Sequence, residues 1–283
     1  MTVPILRKLS ELRTLTRDWQ RKDEVIGVVP TMGALHQGHL SLVEAAKSGC
    51  DRVIVTIFVN PKQFNNPEDL ANYPRTELED SQKLLPYKVD AIYVPDPDEI
   101  YPQGFSTTVT VGGLTDVMEG PFRPGHFEGV ATVVAKLFLQ TQADRAYFGE
   151  KDHQQLLVVR RMARDLDIPI EVIGCPTVRE PSGLAMSSRN LRLSQEGLAI
   201  AAHKHAIMKR TAAKLSAGHD FADLAEQAKT DLLRAGFTEI EYFDLRCAET
   251  LEALTKASRP ARLFVTAWAD GVRLIDNIAV DPA

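Results

Sequence analysis

Two histidines, His36 and His39, stand three residues apart in the stretch PTMGALHQGH (Pro30–His39), with Gly33 and Gly38 beside them. A β-branched run leads into the stretch and a helix-like pattern follows it. Imidazoles at that spacing on a helix beginning near His36 share one face. Packing, metal ligation and the handling of a phosphate are all open to such a pair. The start of a helix offers free N–H groups and the positive end of the helix dipole, which suit a phosphate. The glycines let backbone come close to a ligand or take a positive φ. A zinc pair would need a further ligand at a recognisable spacing, and none is nearby.

Four further stretches carry similar chemistry. TIFVNPKQFNNPEDLANYPRT (Thr56–Thr76) is long, polar and punctuated by proline. Asn60 and Gln63 there are amides able to hold hydroxyl and carboxylate oxygens, and Phe64 can wall an apolar group. An ordinary solvated loop is the alternative. GPFRPGHFEGV (Gly120–Val130) puts Arg123 and His126 just before a helix. They form either a clamp for a carboxylate or phosphate, or a stiff turn ending in a cap. YFGEKDHQQ (Tyr147–Gln155) repeats the strand-to-helix arrangement with Gly149, Lys151 and Asp152, followed by Gln154 and Gln155. Lys151 can neutralise a phosphate, while Asp152 can cap the helix, receive a ribose hydroxyl or meet Mg²⁺. LAMSSRNLRLS (Leu184–Ser194) offers two hydroxyls and an arginine in a turn-rich linker able to close over a nucleotide. The P-loop, the G-x-G-x-x-G fingerprint and the G-x-S-x-G elbow are absent.

The elements that position these residues follow from periodicity. Helical spacing is expected over Leu6–Arg21, Ser41–Gly49, Thr76–Pro86, Glu128–Gln142 and Asp152–Leu166. Apolar runs predict strands over Val25–Pro30, Val53–Val59, Ala91–Pro95, Arg145–Gly149 and Ile168–Val178, with Phe105–Val111 extended. Alternating strands and helices with near-continuous apolar strands imply a parallel sheet covered on both faces. Beyond Val178 the pattern changes to two long helices, Ser194–Ser216 and Phe221–Ala235, and three strands at hairpin-like spacing. We therefore expect an α/β domain over residues 1–178 and a smaller C-terminal α+β domain over 179–283.

Of 283 residues, 44% are hydrophobic and 25% charged, with a net charge of −5. That balance leaves no electrostatic footprint for nucleic acid. Three scattered cysteines suit a reducing compartment. No signal-peptide core is present and no run approaches the ~20 apolar residues that span a bilayer. A cytoplasmic protein without nucleic-acid or membrane partners is expected.

Taken in order, PTMGALHQGH, FVNPKQF, RPGHFEGV, FGEKDHQQ and MSSRN resemble the pantothenate synthetase (pantoate–β-alanine ligase) family. That family belongs to the H-x-G-H nucleotidyltransferases. The resemblance runs from about residue 25 to 195 and implies a Rossmann-like doubly wound parallel sheet with the smaller C-terminal domain as a lid. It implies ATP-dependent condensation of pantoate with β-alanine through a pantoyl adenylate, giving pantothenate, AMP and pyrophosphate. Carried over, the ATP site comprises Met32, Gly33, Ala34, Leu35, His36, Gln37, Gly38, His39, Gly149, Glu150, Lys151, Asp152, Val178, Met186, Ser187, Ser188 and Arg189. The catalytic set is His36, His39, Lys151 and Arg189, with His39 as proton donor. Gln63, Gln155, Met32, Asn60, Arg123 and His126 fall to the substrates, with Gln63 and Gln155 on pantoate. Mg²⁺ accompanies ATP without assigned protein ligands, Glu79 and Asp80 being candidates, and a homodimer is implied. MSSR lacks the lysine of the synthetase relatives, which leaves that charge to Lys151 and Arg189. The alternatives are a nucleotidyltransferase acting on another acid and an inactive nucleotide-binding module.

Overall fold

The computed structural model describes residues 3–65 and 67–283. The expected first domain and the loop at Thr56–Thr76 include residues 1, 2 and 66, which lie outside the described residues. The chain divides into two compact units, Met1–Pro176 and Thr177–Ala283.

In the first unit six parallel strands form one sheet: β1 (Ile5–Leu6), β2 (Ile26–Thr31), β3 (Arg52–Ile57), β4 (Ala91–Tyr93), β5 (Arg145–Gly149) and β6 (Glu171–Cys175). Their order is β1-β4-β3-β2-β5-β6. The helices are α1 (Leu9–Gln20), α2 (Gln37–Gly49), α3 (Pro67–Ala71), α4 (Glu77–Leu84), α5 (Pro97–Ile100), α6 (Glu119–Phe122), α7 (His126–Thr141) and α8 (His153–Asp165). The strands read as unbroken apolar runs because helices cover both faces of the sheet. Val29, Val53, Val55 and Ile92 pack with Leu42, Val43 and Ala46 of α2 and Leu84 of α4. Residues of opposite parity face α7: the Tyr93 hydroxyl lies 3.1 Å from the Gln140 side-chain oxygen, and Phe148 meets Phe138 edge-on. This is the Rossmann-like doubly wound arrangement expected of the sequence.

One local expectation changes. The helix expected over Leu6–Arg21 starts only at Leu9, because Ile5 and Leu6 pair in parallel with Ile92 and Tyr93. Phe105–Val111 joins no strand ladder; its Val109 N–H is taken instead by the Thr132 hydroxyl of α7 at 3.0 Å.

The strand order places the site. From β2 the chain winds outward through β3 to β4, then returns to add β5 on the opposite side of β2. The order reverses between β2 and β5, and open α/β sheets receive ligands beyond the carboxyl ends of the strands at such a switch point. The His36–His39 stretch follows β2 and the Glu150–Asp152 turn follows β5.

In the second unit α9 (Gln195–Ser216) and α10 (Phe221–Arg234) share a core with an antiparallel sheet of β7 (Glu239–Cys247), β8 (Ala261–Ala269) and β9 (Val272–Val280). Asp270 and Gly271, both at positive φ, make the two-residue turn between β8 and β9.

Candidate functional site

The turn after β2 is built as an interlocked cap. His36 is the N-cap residue of α2, and its Nδ1 accepts the Gly38 N–H at 3.1 Å. His39 Nδ1 in turn accepts the His36 N–H at 3.3 Å. The rings are in contact and tilted by 36° to one another, their centroids 4.1 Å apart. A nitrogen that accepts from a backbone amide carries no proton, so each neutral imidazole holds its proton on Nε2. Burial, and then nearby positive charge, push His36 down to about 4, and His39 to about 3. For His36 that charge is Lys151 first; for His39 it is His36 and then Lys151. Both rings are therefore neutral N–H donors at pH 7.

This cap narrows the expectation of free helix-start amides. The N–H groups of Ala34 and Leu35 go to the two oxygens of Asp80, at 2.9 and 2.7 Å. Those of His36 and Gly38 go to the two imidazoles. The Nε2–H edges of the two rings remain as donors for an anion. Asp80 also changes character: it is fully buried and satisfied by backbone, where it had stood as a candidate for Mg²⁺.

Lys151 sits in the 3₁₀ turn Glu150–Asp152, its Nζ 3.6 Å from Asp152 Oδ1. The charge of Asp152 is felt at both His36 and His126. The carboxylate of Asp152 makes no cap for α8.

After β3 the 3₁₀ turn Pro61–Gln63 presents Gln63. Its Nε2 donates to Met32 Sδ at 3.0 Å, and its Oε1 accepts from Asn60 Nδ2 at 2.9 Å. Asn60 has no exposed surface. It also donates to the Gly129 carbonyl and accepts from the Tyr101 hydroxyl and the Lys62 N–H. It therefore holds the turn and offers nothing to a ligand.

His126 does similar work from α7. Arg123, always a donor, gives an N–H to His126 Nε2 at 3.1 Å, and His126 Nδ1–H goes to the Gln63 carbonyl at 2.9 Å. Burial, then Arg123, lower the His126 pKa to about 4. Arg123 also pairs with Glu119 at 3.6 Å. Gln155 lies half-buried in the first turn of α8. Gln154 is buried and fastens the preceding loop through the carbonyls of Leu114 and Val117 and the N–H of Glu119.

Sequence reasoning passed over Gly129 and Tyr101. A Cβ on Gly129 would lie 2.3 Å from the Lys62 carbonyl oxygen, so the Gln63 turn crosses α7 where only glycine fits. The signal was present, a glycine inside a helical pattern. Tyr101 carried none.

Val178 and Met186–Arg189 belong to the second unit. The supposed linker there is an anchored hairpin: Met186 N–H bonds the Val178 carbonyl, and Arg179 bridges Ala185. Arg179 forms a two-pronged pair with buried Asp276, at 2.8 and 2.9 Å. Ser187 caps the 3₁₀ turn Ser188–Arg192 by accepting the Arg189 N–H.

These features define a Rossmann-like α/β protein whose strand-end turns present hydrogen-bond donors and an amide at the crossover of the sheet. The chain belongs to the family described as Pantoate-beta-alanine ligase, whose sequence model matches residues 4–279. It is 71% identical to pantothenate synthetase of Ruegeria pomeroyi over 280 residues, 99% of this chain and 98% of that one. The crystal structure of pantothenate synthetase from Thermus thermophilus matches with a TM-score of 0.92 and 44% identity, over 99% of this chain and 100% of that one. A pantoate-beta-alanine ligase from Francisella tularensis, complexed with Beta-gamma ATP and β-alanine, matches with a TM-score of 0.83 and 37% identity. The shares covered are 98% of this chain and 97% of that one.

Proposed function

We propose that the chain condenses pantoate with β-alanine at the expense of ATP. The observation that carries the chemistry is the contact of Gln63 Nε2 with Met32 Sδ at 3.0 Å. It joins the amide suited to a hydroxy acid to the turn that carries the two imidazole donors. A carboxylate held at Gln63 thus faces phosphates held at His36, His39 and Lys151.

In the first step a pantoate carboxylate oxygen bonds to the α-phosphorus, and the bond to the β-phosphate oxygen breaks, releasing pyrophosphate. In the second, the β-alanine amine attacks the acyl carbon, the C–O bond to AMP breaks and the amine proton is lost. The protein supplies positioning and donors for developing charge, without a covalent nucleophile. Because both imidazoles are neutral, His39 acts by donating a hydrogen bond from Nε2–H. A stored proton is not required of it.

Mg²⁺ enters this reading with the ATP phosphates. Among the described residues no group of three or more histidines, cysteines and acids is placed to hold a metal. Mg²⁺ on a nucleotide needs only one or two carboxylates. Asp152, 46% exposed beside Lys151, fits that part, and the ion would supply charge neutralisation on the phosphates. The lid role of residues 179–283, with Val178 and Met186–Arg189 on the nucleotide, belongs to the same reading. Arg189→Ala tests it and is expected to raise KM for ATP. A homodimer and a cytoplasmic setting complete the reading, and light scattering and cell fractionation check them. Among the described residues no helix is long and apolar enough to cross a membrane.

The test is pantoate-dependent release of pyrophosphate from ATP, with pantothenate formed only after β-alanine is added. Folded protein that does neither in the presence of Mg²⁺ would overturn the proposal.

A further inference from the structure

The turn that delivers His36 and His39 does not hold its shape unaided. Gly33 has φ +84° and Ala34 φ +51°, and for alanine that left-handed region is unfavourable. Successive backbone N–H groups in such a turn converge into a concavity that binds anions. Here the concavity is filled from within the chain. Asp80 Oδ2 accepts the Ala34 N–H and Oδ1 accepts the Leu35 N–H. The Thr76 hydroxyl donates to Oδ2 at 3.0 Å and fixes the carboxylate rotamer. One turn along α4, Lys83 Nζ donates to the Leu35 carbonyl at 2.9 Å, so the same helix grips both the N–H and the C=O of Leu35. A Cβ on Gly33 would stand 3.1 Å from Asp80 Oδ2, which leaves little room for the carboxylate to shift.

We propose that Asp80 is a positioning residue for adenylation: an internal anion that fills the amide nest at Ala34 and Leu35 and thereby aims the Nε2–H edges of His36 and His39 at the phosphates. The substituting carboxylate has a second consequence. With the nest occupied, an incoming phosphate is directed to the imidazole edges. The inference rests on the ligase reading for its activity assay, but its structural half stands apart from that reading.

Asp80→Asn is nearly isosteric and offers one acceptor oxygen where two N–H groups converge, so the other meets an NH₂. A misplacement of this size at a site of in-line attack costs on the order of 10–100-fold in kcat. That loss is expected in pantoate-dependent pyrophosphate release, with KM for pantoate within about twofold, since Asn60 and His126 hold Gln63 in addition to its contact with Met32. Imidazole ¹⁵N spectra read the same event without turnover. In the parent both rings are fixed as Nε2–H tautomers, and in Asp80→Asn at least one is expected to average between tautomers. A kcat within twofold of the parent would overturn the proposal. So would parallel changes in kcat and pantoate KM, or a lost kcat with both rings still fixed. If Asp80→Asn does not fold, Thr76→Val removes only the hydroxyl that sets the rotamer. It is expected to lower kcat about threefold or more with the same KM pattern, and unchanged kcat there overturns the proposal as well. A parent without pyrophosphate release would refute the ligase reading, while the spectra of the two proteins would still decide the role of Asp80.

Discussion

His39 and His126 are both histidines in the first turn of a helix, both kept neutral by burial, and they do opposite things. In His39, as in His36, Nδ1 is spent on a backbone amide of its own turn, and the Nε2–H edge is left to act outward. In His126 Nε2 receives Arg123 and Nδ1–H is given to the Gln63 carbonyl, so neither nitrogen is left over. The lesson is that the residue type and its protonation state do not decide whether a histidine works on a ligand. What decides is how many of its two nitrogens the fold consumes. On the ligase reading proposed above, His36 and His39 would serve the phosphates, whereas His126 holds the turn that carries Gln63.

The largest expected effect breaks the first half of this comparison. His39→Ala and Lys151→Ala each remove a donor to charge that develops at the phosphates and should lower the rate by about 10²–10³, with the protein still folded. Steady-state kinetics beside a circular dichroism melt checks both conditions. Near-parental activity in either variant would remove that residue from the chemistry.

His126→Ala is expected to behave otherwise. It leaves the Gln63 carbonyl without its donor and takes one partner from Arg123, which keeps Glu119, so the acid-binding turn loosens while the phosphate side keeps its geometry. KM for pantoate should rise about tenfold, with kcat within about threefold, and stability should fall by about 1–3 kcal/mol for the unmade buried hydrogen bonds. Gln63→Ala should weaken pantoate and β-alanine binding to a similar or greater extent, and it also costs stability through the Asn60 Nδ2 hydrogen bond it leaves unmade. A fall in kcat alone for His126→Ala would mean that His126 reaches the reacting atoms, and the contrast would collapse.

The same contrast shows what was legible in the sequence. The sheet was readable because strands covered on both faces are apolar without interruption, and the His36–His39 pair was readable because its cap is local. The turns at Gln63 and Lys151 were marked by proline, glycine and polar residues at strand ends. Long-range pairings leave no such trace. Asp80 lies 45 positions beyond Leu35, and Arg179 reaches Asp276 across 97. Nothing in the local pattern separates those side chains from ordinary surface charges. The two-residue strand β1 was absorbed into the following helix because its pairing partner, β4, lies far along the chain. Asn60, Arg123 and His126 stood out in the sequence as candidates for substrate contact, but only their hydrogen bonds show that they hold loops together.

The smallest effect is the pH dependence, and it separates the three rings most finely. Folded His36 and His126 titrate at about 4 and His39 at about 3, against about 6.5 in the unfolded chain. Between pH 6.5 and 4 the unfolded state therefore binds more protons, and stability falls as the pH is lowered through that window. Above about pH 7 these groups contribute no slope. Each His→Asn substitution should reduce the proton uptake on unfolding near pH 5 by close to one, measured from urea melts at a series of pH values. His36 and His126 should be alike in this respect although they differ in activity. The profile of kcat/KM, which reports groups of the free enzyme, should show no limb from these histidines between pH 6 and 8. An acid limb near 6.5 that disappears in His39→Asn would mean that the ring carries a proton into the reaction, and hydrogen-bond donation from a neutral His39 would have to be given up.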